Sequence, residues 1–393
     1  MKDKKKQEHT LQNIANRLFY TLHMSRFPPI DLLELFLTHD CNFRCRYCFV
    51  GKKKKISMDF DTAKRAVDFI MSESRSPSLI SIVYFGGEPL LKYSLIRKVT
   101  LYAEKKAKER SKEIMFGMTT NGALIDKSKI MFCARHKIRL LLSVDGDEAT
   151  NDKNRKTADN KGTFRIVESK IPLIKRYQPW LGVRMTVCPS ETVRLYDNFV
   201  FLLRKGINQF LIESNLSAKW ARKELEEYKR QWQLIADLYT KKIAEKYPIR
   251  LTYFESDFAV TSKPNKDCWG CSGGRNAVTV APSGEIYPCS HFLSSARKKS
   301  NDTWLLGNVK DGITDFDARR QLNCHTEKER PQCSVCRIKD FCTGGCPSEN
   351  YDANKSIFNP HKLRCEFQKI LVETVNNYPS VSKYAPKKIL SKT

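Results

Sequence analysis

Between residues 31 and 212, short apolar runs rich in β-branched residues alternate with longer segments of helical period. A parallel sheet joined by crossover helices is the arrangement that buries both patterns at once. The runs fall at 32–37, 79–85, 114–119, 138–143, 181–187 and 209–213. Helical segments fall between them at 59–72, 94–108, 126–136, 163–176 and 194–205, with apolar residues three or four apart. Six such units predict an α/β fold, a partial (β/α)6 TIM-like barrel. One or two helices over 218–246 would close it. Cysteine, glycine and proline then accumulate from Cys268 onward, which predicts a small cysteine-rich domain held more by metal than by a large core. The expected domains are an N-terminal helical extension over 1–30 (one helix at 11–23), a core over 31–260, the cysteine-rich domain over 261–370 and a basic tail over 371–393.

Composition narrows the functional classes. With 41% apolar residues the chain can bury a core, and no run approaches the roughly 18 consecutive apolar residues of a membrane helix. The start has basic residues but no apolar signal segment, so a cytoplasmic location is expected. Thiols there stay reduced, and fourteen clustered cysteines then point to metal or redox chemistry before disulfides. The net charge of +27 favours an acidic partner without identifying it.

Directly after the first strand come Cys41, Cys45 and Cys48, with three and then two residues between them. A [4Fe-4S] cluster held by three thiols leaves one iron open to a non-protein ligand, whereas a structural zinc site is normally filled by four protein ligands. Loops at the C-terminal ends of barrel strands are also where such folds carry their chemistry. The next strand ends in Phe85-Gly86-Gly87-Glu88-Pro89, where two glycines let backbone approach a ligand and Glu88 can accept hydrogen bonds from an ammonium group.

These features resemble the radical S-adenosylmethionine enzymes. The likeness rests on the cysteine loop with Tyr47 before its last thiol, on Gly-Gly-Glu-Pro, and on Thr119-Thr120-Asn121-Gly122 and Leu142-Ser143-Val144-Asp145-Gly146 at the next two strand ends. The resemblance implies that the open iron chelates S-adenosylmethionine and that its reductive cleavage yields a 5′-deoxyadenosyl radical. It further implies that Gly86, Gly87 and Glu88 hold the amino group, that Tyr47 lies near the adenine, and that Ser143 and Arg155 serve the ribose or carboxylate.

The later cysteines resemble the SPASM extension of peptide-modifying radical enzymes. Cys271 is followed by Gly284 and Cys289, then by Cys333, Cys336, Cys342 and Cys346, and last by Cys365. The resemblance, which spans about residues 32 to 370, implies two auxiliary [4Fe-4S] clusters. Cys268, Cys271, Cys289 and Cys346 would hold one; Cys333, Cys336, Cys342 and Cys365 the other. A hairpin over 277–288, turning at Pro282 to Gly284, would deliver Cys289. Zinc is the competing reading, since paired cysteines two residues apart are ordinary zinc spacings.

By this resemblance the chain is an enzyme that modifies a peptide or protein, with thioether or carbon–carbon crosslinking as the leading expectation. Anaerobic sulfatase maturation (formylglycine formation) is the alternative: such enzymes carry an aspartate base after the cysteine of Tyr-Pro-Cys, and here that position is Ser290. The roughly thirty residues before the first strand are few for a leader-binding module, so a separate leader-recognition protein is one expectation. An electron donor such as flavodoxin or ferredoxin is another. A zinc-stabilised nucleic-acid-binding protein is the distant competitor, resting on charge alone. Cys188 and His291 are weak catalytic candidates, Cys133 reads as core packing, and Cys324 has no assignment. The run Lys52 to Lys55 reads as a solvated face, or as a lure for an acidic peptide.

Overall fold

The computed structural model describes residues 27–75, 79–255, 271–299, 303–323, 329–339, 341–342 and 344–378. The expected 11–23 helix, Cys268, Cys324 and the tail beyond 378 lie outside them.

The first half alternates as its periodicity predicts: β1 (Leu32–Thr38), α1 (Phe60–Glu73), β2 (Leu79–Gly86), α2 (Tyr93–Glu109), β3 (Glu113–Thr120), α3 (Lys127–Arg135), β4 (Ile138–Ser143) and α4 (Glu148–Asn154). There follow α5 (Phe164–Glu168), α6 (Ile171–Tyr177), β5 (Gly182–Val187), α7 (Leu195–Arg204), β6 (Gln209–Ser214), α8 (Arg222–Ala244), β7 (Arg250–Leu251) and α9 (Thr252–Glu255). Asp59 and Asp126, read from sequence as the first helical residues, are instead the caps: their carboxylates accept from Thr62 N (2.7 Å) and Lys129 N (2.9 Å). The single helix expected over 163–176 is broken, with Pro172 in the first turn of α6. Its ring and missing N–H are incompatible with a helix continuing from α5.

The second half contains β8 (Ala277–Val280), β9 (Glu285–Tyr287), α10 (Ser290–Lys299), β10 (Gly307–Asn308), β11 (Gly312–Ile313), α11 (Phe316–Asn323), α12 (Pro331–Ser334), α13 (Pro347–Asn354) and α14 (Lys362–Asn376). The expected hairpin is β8–β9, with Gly284 at φ +98° in its turn. The sheet does not close; its order is β11-β10-β9-β8-β1-β2-β3-β4-β5-β6-β7.

The cysteine-rich region is joined directly to the barrel, because β8 pairs in parallel with β1, Leu32 opposite Ala277 through Leu35 opposite Val280. Val278, Phe292, Trp304 and Phe367 share one hydrophobic core with the barrel residues Leu33, Ile82 and Val183. The boundary at 370 also cuts through α14, which runs to Asn376.

The open sheet decides where a site can lie. Helix-facing side chains such as Leu33, Leu35, Ile80, Ile82 and Val183 are fully buried. The alternate positions Glu34, Val83, Gly117, Ser143, Arg184, Thr186 and Glu213 stay half-buried on the inner face. No partner sheet fills that face, and a cavity of about 760 Å³ opens over the C-terminal strand ends.

Candidate active site

The loop after β1 is fixed before any thiol is placed. Asp40 N donates to Thr38 Oγ1 (3.1 Å), Cys41 N to Asp40 Oδ1 (2.8 Å), and Phe43 N to the Cys41 sulfur (3.3 Å). Asn121, at the end of β3, donates from Nδ2 to Asn42 Oδ1 (2.8 Å) and to the same sulfur (3.8 Å). Lys53 Nζ donates to the Cys48 sulfur at 2.8 Å. Burial pushes the Cys41 thiol up to about 12 and raises Cys45. Such thiols become thiolates when a metal supplies the missing positive charge. Cys41, Cys45 and Cys48 together line the cavity.

Gly86 and Gly87 line it as well, and the structure gives a reason for both beyond ligand access. Gly87 N donates to Thr38 O (2.7 Å), and a Cβ at residue 87 would lie 2.0 Å from Asp40 O. Gly86 has φ +131°, with a Cβ position 2.5 Å from Thr38 O. Glu88 has protein partners of its own at this strand end. It is fully buried and does not line the cavity. Its carboxylate accepts from Leu90 N (3.0 Å), Thr120 Oγ1 (2.7 Å) and Asn121 N (2.8 Å), which ties the end of β2 to the end of β3.

Asp145 is the residue that sequence reading left without a role. Its carboxylate accepts from the Tyr47 hydroxyl, from Arg155 Nη2 (2.9 Å) and from Thr186 N (2.9 Å). The Arg155 guanidinium also stands 5.4 Å from the Tyr47 ring centroid. Burial works against the charge on Arg155, but the Asp145 carboxylate together with Tyr47 and Cys45 more than offsets it, and the guanidinium stays protonated. Tyr47, Ser143 and Arg155 all line the cavity. A carboxylate two residues beyond Ser143 at a strand end was the available signal for this hub.

The later thiols sort into two sets. Cys271, Cys289 and Cys346 are close enough to perturb one another electrostatically, and burial pushes Cys346 up to about 12. Cys333, Cys336, Cys342 and Cys365 do the same, and they line a second cavity of about 40 Å³. Backbone N–H groups two residues on point at the sulfurs, Gly273 N to Cys271 (3.3 Å) and Gly344 N to Cys342 (3.5 Å). Cys271, Cys342 and Cys346 also line the large cavity, together with the first group. Among the described residues no three His, Cys, Asp or Glu side chains converge on a point that would hold a single ion; the thiols ring a space instead.

Of the catalytic candidates, His291 lines the large cavity and stacks on Phe49, with centroids 4.4 Å apart and rings 5° from parallel. Cys188 does not line it: it is buried against Asn154 and Asn215, whose Nδ2 donates to its sulfur at 3.5 Å, and burial pushes its thiol up to about 11. Cys133 packs in the core. Glu34, unremarked in the sequence, accepts from Thr279 Oγ1 (2.7 Å) and is hydrogen-bonded to Ser290.

Comparison with known proteins agrees with this arrangement. Residues 35–202 match the radical SAM superfamily model, and residues 271–338 match SPASM, an iron–sulfur cluster-binding domain. The cysteine-type anaerobic sulfatase-maturating enzyme of Clostridium perfringens (strain 13) is 24% identical over 340 residues, 81% of this chain and 89% of that protein. The antilisterial bacteriocin subtilosin biosynthesis protein AlbA of Bacillus subtilis is 21% identical over 366 residues, 89% of this chain and 75% of that protein. The solved structure of native anSMEcpe with bound AdoMet and Cp18Cys peptide superposes with a TM-score of 0.74 at 21% identity, covering 91% of this chain and 99% of that one.

Proposed function

Because this chain is a radical SAM enzyme with a SPASM iron–sulfur domain, one that performs radical oxidative modification, we propose that it oxidises a side chain of a peptide or protein segment held in the cavity between its two groups of thiols. The observation that carries the reading is that one continuous space is lined both by Cys41, Cys45 and Cys48 and by Cys271, Cys342 and Cys346. When bound, a [4Fe-4S] cluster and S-adenosylmethionine supply hydrogen-atom abstraction by a carbon radical.

The chain's residues fit that pair. Cys41, Cys45 and Cys48 would hold the cluster, and the Gly86–Gly87 backbone the amino group of the cofactor. Arg155 Nε is buried, without a hydrogen-bond partner among the described residues, on a side chain that lines the cavity. A bound carboxylate would satisfy it. Ser143, which lines the same cavity, would serve the ribose or carboxylate, and Tyr47, fixed through Asp145, would border the adenine. Glu88 would act by holding the two strand ends in place rather than by touching the cofactor. Cys271, Cys289 and Cys346, with Cys268, would carry one auxiliary cluster; Cys333, Cys336, Cys342 and Cys365 the other. His291, which faces the cavity, replaces Cys188 as the side chain expected to meet substrate.

From sequence alone crosslinking ranks ahead of single-residue oxidation. The sulfatase-maturating relative moves oxidation of one cysteine or serine to first place for testing, while Ser290, with no carboxylate of its own, favours the thioether or carbon–carbon product. Anaerobic reconstitution should give about twelve irons per chain, and S-adenosylmethionine should shift the electron paramagnetic resonance of the reduced protein. Stoichiometric zinc without iron would overturn the assignment. With candidate cysteine- and serine-containing peptides, mass spectrometry separates the products: a thioether retains its sulfur, while oxidation of a single cysteine to an aldehyde loses it.

A further inference from the structure

We propose that Lys52, Lys54 and Lys55, together with Ile56, form the docking surface for an acidic one-electron carrier that reduces the cluster held by Cys41, Cys45 and Cys48. This rests on the reading that those thiols hold a cluster. The lysine run begins four residues after Cys48, and four residues of fully extended chain span at most about 14 Å. The run is held closer than that limit requires, because Lys53 Nζ returns to within 2.8 Å of the Cys48 sulfur.

The loop is tethered at both ends. Gly51 N donates to Cys48 O (3.2 Å), Thr38 Oγ1 to Ile56 O (2.9 Å), and Met58 N to Leu37 O (2.8 Å). Its charges therefore stay beside the thiol loop. Lys52, Lys54 and Lys55 are exposed, their side chains make no ion pair among the described residues, and no acidic residue lies between Cys48 and Ile56 to offset them. Ile56 is 42% exposed, an apolar side chain beside a charged rim, as interfaces are commonly built.

Position decides between the two acidic partners such a run would attract. Of the four lysines only Lys53 lines the cavity. The other three are exposed and are not among the residues that line it, which suits a body that stays on the surface rather than a segment that enters. Transfer is balanced without bond making: the carrier loses one electron, the cluster gains one, and no proton moves. Charge complementarity would act mainly on the rate of encounter.

The test uses the full-length, iron-loaded protein and reduced flavodoxin, an acidic carrier, with cluster bleaching followed by anaerobic stopped flow. Wild type should slow steeply between about 50 and about 500 mM salt. The triple variant K52E/K54E/K55E should slow about tenfold or more at low salt and lose the salt dependence. Reduction by methyl viologen, a small cationic reductant, should change less than about twofold in the variant, which separates docking from damage to the cluster. A flavodoxin rate that charge reversal leaves unaltered overturns the proposal, and a variant that instead loses affinity only for an acidic peptide reassigns the surface to substrate. Protein that takes up no iron would sink the underlying reading, and iron analysis shows this before any carrier is added.

Discussion

A methyl group at residue 87 has no room. Its position lies 2.0 Å from a backbone carbonyl of the thiol loop, and backbone cannot swing aside as a long side chain does. Gly87→Ala should therefore lose about four irons per chain while the auxiliary sites stay loaded, as iron analysis with paramagnetic resonance would read. An unchanged iron content would remove Gly87 from the site. Sequence reading found the two glycines and gave them ligand access as their reason. Close packing against Thr38 and Asp40 is a second reason, invisible without knowing that β1 and β2 are neighbours. Glu88 shows the same limit from the other side. Its place in a motif was legible, but the direction of its carboxylate depends on which strand end lies opposite. Asp145 stood in a recognised motif without a role, because its partners Tyr47, Arg155 and Thr186 come from three separate segments.

At the level of elements, the periodic first half was readable almost strand for strand, since each strand and its helix carry their own pattern. The second half was readable only at the β8–β9 hairpin, which its Pro282 to Gly284 turn marks. Its strands are two to four residues long, too short for an alternation to show, and β8 is defined by pairing with β1, 245 positions away. The helix α14 fared likewise: it was read as the end of a metal-held region and the start of a tail, yet it supplies a core residue. Phe367 is 1% exposed and meets Trp220 and Tyr228 edge-on at 4.7 and 4.9 Å. Phe367→Ala should cost about 3 kcal/mol or more, visible as a lowered thermal midpoint of the iron-loaded protein. A midpoint within a degree or two of wild type would mean that α14 is not structurally coupled to the barrel.

For the whole molecule, metal and core divide the work unevenly. Chelating the iron should leave amide protection in β1 to β6 and in α14 intact and raise exchange over residues 331–346, where short elements surround clustered thiols. Uniform loss of protection would show that the core needs its metal. In the stripped protein the Cys365 thiol, which burial pushes up to about 11, is largely protonated at neutral pH. Its alkylation should then rise about tenfold per pH unit until that value is reached, because the thiolate is the reactive form. A rate that levels off near pH 8 would place the thiol in water instead.

The parallel ladder between Leu32–Leu35 and Ala277–Val280 carries one more consequence. A fragment ending before β8 would expose β1 as a bare edge, an open template for pairing with other chains. Halves exchanged between relatives would have to match across that seam before any chemistry began. Any single crossover between residues 38 and 277 takes these two strands from different parents, so such chimeras are expected to precipitate unless the residues facing each other across the ladder are compatible.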